Sequence, residues 1–327
     1  MKPRRGGRRC VALCVAPCLA LAACSPAKSP RVPPAPARAR LSFDWQPPAA
    51  ADVTHEHEKN LTRVTTRFTL RACPAGELMS VRAIDHELSS VDEVPASAID
   101  PDELAQVNAL ARATPTFLVT KDGQVYDVVG MEQAMRATLV QMRAEGRDAA
   151  ILDRLEKSFA SPLMTQQIKE KYSELWYLWV GSWLDVDLSK QRSTQDMTIF
   201  LGGKNLVIPT EFEVKTSTPD RTEVSLQGVL EGPAASQALS HMIRAMVSLP
   251  DGDQDKIGQL QLRRVHSATL VTDPSSMRPS RGMATMRITV TGSGPTSRRA
   301  EGDRYTFRWL PKEKAAALCA NSENPGK

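Results

Sequence analysis

His55-Glu56-His57-Glu58 carries the most suggestive chemistry in the chain. Side chains alternate faces along a strand, so His55 and His57 would share one face and could take a metal with one further ligand. The surrounding stretch, Val53 to Asn60, is polar, and a solvated charge run is the plainer reading; the sequence marks no third donor. Asp251, Asp253 and Asp255 have the opening spacing of a calcium loop. Lys256 stands where that loop needs glycine and Leu262 where it needs glutamate, so the motif fails. Asp85-His86-Glu87, with Ser89 and Ser90, supplies the residue types of a hydrolase without a G-x-S-x-G elbow. Neither a Walker loop nor a dinucleotide fingerprint is present, and Gly202-Gly203-Lys204 reads as a hairpin turn. His241 falls among the inward positions of an amphipathic helix, as a packed or boundary residue. His266 falls mid-strand, where a hydrogen-bonded surface role is expected. These residues point to no enzyme and to no cofactor.

A second group could bind rather than react. Tyr172, Trp176, Trp179 and Trp183 lie on nearly one face of a helix. They supply either the bulk of a core or, with the adaptable Met131, Met135, Met142, Met242 and Met246, the wall of an apolar cavity. Core is the ordinary fate of such a stripe.

The N-terminus supplies an address. Lys2, Arg4, Arg5, Arg8 and Arg9 precede a small and aliphatic run from Cys10 to Ala23, too short to span a bilayer. The run ends in Leu21-Ala22-Ala23-Cys24, which resembles the lipobox of bacterial lipoproteins; the resemblance covers residues 1–24 alone. It implies acylation of the Cys24 thiol, cleavage before it, and retention in the cell envelope, with two or three chains holding where one is marginal. Ser25 rather than Asp follows, which in that family favours the outer membrane. Residues 24–40, rich in Pro, Ala and basic side chains, form a tether.

Composition narrows the partners. The chain carries 42 basic and 37 acidic side chains, and loss of the five leader cations leaves 37 of each. A neutral mature protein has no basic stripe for nucleic acid. The expected partners are the membrane, through the anchor, and an envelope protein or an apolar ligand for the domain. Beyond Cys24, the mature chain retains Cys73 and Cys319. In an oxidising compartment these pair; the alternatives are two buried thiols or an unpaired thiol near the C-terminus.

The elements that must position these groups follow from hydropathy period. Thr62–Ala72 alternates strictly, and Leu78–Leu88 continues it. Asp100-Pro101 opens a helix. Thr116–Val129 is a hairpin around Lys121-Asp122-Gly123. Residues 131–185 are helical. Thr198–Ile208, Glu211–Lys215 and Thr222–Leu230 return to strand, a helix starts at Gly232-Pro233, and Leu260–Thr272, Met283–Val290 and Arg304–Trp309 form a closing meander. The predicted class is α+β, with antiparallel, curved sheet packed on a central helical section. One domain is expected over 41–319, with sheet-rich halves at 41–130 and 195–312 and a disordered tail at 320–327.

Overall fold

The computed structural model describes residues 24–26, 40–99, 104, 114–159, 162–201, 204–246, 256–292 and 294–320. Strand β1 (Cys24–Pro26) is followed by β2 (Ala49–Lys59), β3 (Thr62–Ala75), β4 (Leu78–Val91), the short β5 (Val94–Pro95), β6 (Thr116–Val119) and β7 (Val125–Val129). Helices α1 (Met131–Ala144), α2 (Ala149–Phe159) and α3 (Pro162–Trp179) come next. The chain then forms β8 (Arg192–Leu201), β9 (Lys204–Ser217), β10 (Thr222–Leu230), α4 (Pro233–Met246), β11 (Gln261–Thr272), β12 (Pro279–Thr291), β13 (Ser297–Trp309) and α5 (Lys312–Ala320). Ala320 closes a helix rather than opening a tail. The leader, most of the tether, the helix expected from Asp100, the Asp251–Asp255 cluster and the end of the tail lie outside the described residues.

These strands make one antiparallel sheet in the order β1-β8-β9-β10-β11-β12-β13-β2-β3-β4-β6-β7, with β5 on β4. The α+β expectation of a sheet packed on a central helical section is therefore corrected: among the described residues strand dominates, and the helices are additions to a single continuous sheet. The two sheet-rich halves meet where β13 pairs with β2, Trp309 opposite Ala51 and Glu301 opposite Lys59. No helix among the described residues is long and apolar enough to cross a membrane.

Strand β2 is the main element that hydropathy missed. Its facing residues are Ala49, Ala51, Val53, His55 and His57, and the last two break the apolar alternation. Where the alternation is complete the expectation holds: Phe68, Leu70 and Ala72 of β3 are buried in the core. So do Val224 and Leu226 of β10.

The core lies between this face of the sheet and α3 and α4. Trp45, Trp176 and Trp183 are fully buried, and the first two meet edge to face at 5.1 Å between ring centroids. Each indole has a carbonyl to donate to: Trp45 to Met277, Trp176 to Gly123 and Trp183 to Leu178. Gly123 is required there. Its φ is +85°, and a Cβ would sit 2.8 Å from the Phe43 ring. On the opposite face α5 covers Ala50 and Cys73, and Arg71 donates to the Leu318 carbonyl. Cys73 and Cys319 are joined in a disulfide across 246 residues, Cα to Cα 5.6 Å. Closing so long a loop stabilises the fold by roughly 5 kcal/mol in the chain-entropy view.

Candidate functional site

Along β2 and β13 the inward face changes character within two residues. Val53 and Phe307 belong to the apolar core. Next come the directly opposed pairs His55 with Tyr305, His57 with Asp303, and Lys59 with Glu301. Opposed residues of an antiparallel pair share a face with Cβ atoms about 5 Å apart. A polar ladder thus continues the core without a break in the sheet.

Asp303 is the centre of this ladder. Its Oδ1 lies 2.8 Å from His55 Nε2 and 2.9 Å from His57 Nδ1, while its side chain is only 4% exposed. Burial alone would raise this carboxyl; the hydrogen bonds from the two imidazoles, with their charge, overturn that and hold it down to about 2. The His55 ring stacks on Tyr305 at 4.2 Å with the planes 2° apart, and Trp179 meets the same tyrosine edge on at 5.4 Å. The ring orientation is therefore set by the core. Glu301 is buried as well and is neutralised by Lys59 at 3.4 Å and by Arg299.

His55 and His57 do share a face, as the strand spacing implies, and Asp303 is the third donor that the sequence did not mark. Glu56 and Glu58 point to the other side, where they pair with Arg304 and Arg63. The signal for Asp303 was weak but present: the alternation Trp309, Phe307, Tyr305 extends backwards through Asp303 to Glu301.

Other flagged residues separate. His86 stacks on Phe68 and has Thr114 Oγ1 3.0 Å from its Nε2, whereas Asp85 and Glu87 are exposed, so this triplet does not converge. Burial, then the nearby His55, push His86 down to about 4. His266 is not at the surface but buried beside Gly228, where a Cβ would stand 2.6 Å from its ring; burial and then Arg264 bring it to about 4. His241 is exposed rather than packed, on the rim of a groove of roughly 1020 Å³ between α4 and β11. Trp176, Trp179 and Trp183 are core residues, and Tyr172 packs against them half-buried. The Trp179 indole N–H has no acceptor among the described residues.

The described residues thus bring together one compact donor set, two imidazoles and one carboxylate, on rigid neighbouring strands. No family model matches the chain, and no curated protein matches it either.

Proposed function

We propose that the protein is a lipid-anchored, non-catalytic binding component of the bacterial cell envelope, held on the outer membrane by acylated Cys24, which opens edge strand β1 of the sheet. The observation that carries this reading is Leu21-Ala22-Ala23-Cys24 at the end of a basic-then-apolar leader. The disulfide between Cys73 and Cys319 is in keeping with an oxidising compartment. Binding is favoured over catalysis because the hydrolase triplet is split between a half-buried histidine and exposed acids. An apolar carrier is less well supported, since the tryptophans that would line its cavity pack against one another and against the sheet.

Metabolic labelling with an alkyne palmitate analogue, followed by membrane fractionation, tests the anchor. Wild type takes up label and sediments with outer membranes; Cys24→Ala loses the label and the sedimentation. Membrane retention of the unlabelled Cys24→Ala variant would overturn the reading.

A further inference from the structure

We propose that His55, His57 and Asp303 form a zinc site with three protein ligands and a fourth position left to water or a small exchangeable ligand. The inference goes beyond the envelope reading and does not depend on it.

Donor type comes first. Two imidazoles and a carboxylate suit a divalent first-row metal and not calcium or magnesium, which take oxygen. His₂-carboxylate sets with one position unfilled are a recurring zinc arrangement.

Geometry comes second. The three ligand atoms lie within 4.8 Å of one another, and the two nitrogens are 2.8 and 2.9 Å from the carboxylate oxygen. Bonds of about 2.0–2.1 Å to zinc place tetrahedral ligand atoms about 3.3 Å apart. Each nitrogen–oxygen edge therefore has to open by only about half an ångström, within reach of side-chain rotation. The nitrogen–nitrogen edge, at most 4.8 Å, closes towards the same spacing, and the opposed register of Asp303 and His57, with His55 two residues along the same strand, keeps all three donors on one face.

The electrostatics are consistent with a cation. One oxygen, buried with its carboxylate, accepts from both imidazole nitrogens, one on each of its two lone pairs, so both rings already aim a nitrogen at one point. On metal binding those protons move to the other ring nitrogen or to solvent, and both lone pairs turn to the ion. The buried carboxylate is satisfied by the two imidazoles without the ion and by the ion once they turn, so its burial does not oppose the exchange. Two neighbours are excluded from the set. Glu301 is already neutralised by Lys59 and Arg299, and His86 Nε2 is engaged with Thr114. Three ligands remain, which keeps the fourth position open. Tyr305, stacked on His55, holds that ring in place as an outer support.

The test uses the full chain purified in detergent, stripped with EDTA and titrated with Zn²⁺. Wild type binds one equivalent and melts at a higher temperature when loaded. Asp303→Asn, His55→Gln and His57→Gln each weaken binding at least tenfold, whereas His241→Gln on the exposed face of α4 binds as wild type does. Co²⁺ provides a readout on the unmutated protein: intense visible bands of a tetrahedral site without a thiolate charge-transfer band. The absence of stoichiometric binding by folded wild type, a weak octahedral cobalt spectrum, or equal affinity in folded ligand variants would each overturn the assignment.

Discussion

The two ends of the inward face of β2 and β13 obey different rules although they share backbone, register and neighbours. At one end, Ala51, Val53, Phe307 and Trp309 join Trp45 and Trp176 in an aromatic core where each ring touches another within 5–6 Å. At the other, His55, Glu301 and Asp303 are as deeply buried and His57 is half-buried, but all four are polar. Removing apolar area from water stabilises a fold directly, at about 25 cal/mol per Å². Burying ionisable groups at best breaks even, and is tolerated where partners satisfy each one. The same sheet thus spends its stability at the polar end and gains it at the aromatic end. That asymmetry makes the polar end the candidate site.

The contrast can be broken most forcefully at the aromatic end. Trp176→Ala removes a fully buried ring that touches Trp45, Phe43 and Phe117 and leaves the Gly123 carbonyl without its donor; a loss of about 3–5 kcal/mol is expected by urea denaturation. A loss of similar size is set by pH, at the histidines of β4 and β11. His86 and His266 have native values near 4 against 6.5 unfolded, so the unfolded state binds more protons between those limits. Stability that is complete above pH 6.5 falls as pH drops towards 4, by up to about 3 kcal/mol for each histidine. Asp303 adds nothing in that window: its contribution persists until pH falls below 3.8 towards 2. Urea midpoints in EDTA at pH 7 and pH 4.5 measure the slope, and His266→Gln should remove about half of it. The smallest effect gives the sharpest distinction. Replacing His55, His57 and Asp303 together by leucine should leave metal-free stability within about 1 kcal/mol of wild type, while Asp303→Ala alone costs about 2–3 kcal/mol by orphaning two imidazoles. A large loss in the triple variant would mean that the polar end is structural after all.

Legibility in the sequence divides along the same line. Strands β3, β4, β10 and β11, the β6–β7 hairpin and helix α4 were readable because their buried faces are apolar and the period is plain in Phe68-Leu70-Ala72 or Val224-Leu226. The pairing of Cys73 with Cys319 was readable from the cysteine count and the compartment that the leader implies. Strand β2 was not, because its inward His55 and His57 and outward Glu56 and Glu58 erase the contrast between faces. For the same reason β13 seemed to begin at Arg304, when it starts at Ser297. Strand β2 and the start of β13 are paired with each other and hold the donor set, so the polar site conceals its own scaffold from a reading based on hydropathy; the starts of β8, at Arg192, and β12, at Pro279, were missed as well. The class was misjudged for a related reason: the helices stood out by periodicity, whereas the extent of the sheet depended on polar strands.

The pairing of β13 with β2 also has a temporal consequence. Strand β2 starts at residue 49, and its partner on that side ends at residue 309. As the chain emerges from its N-terminus, the β2–β3–β4 hairpins can form early, but one edge of β2 stays open until almost everything else has appeared. Contacts of such separation fold slowly, and an unfilled strand edge is a template for wrong partners. The donors divide in the same way, His55 and His57 arriving first and Asp303 last. A complete metal site can exist only in a finished molecule, so occupancy of that site would report that the sheet has closed.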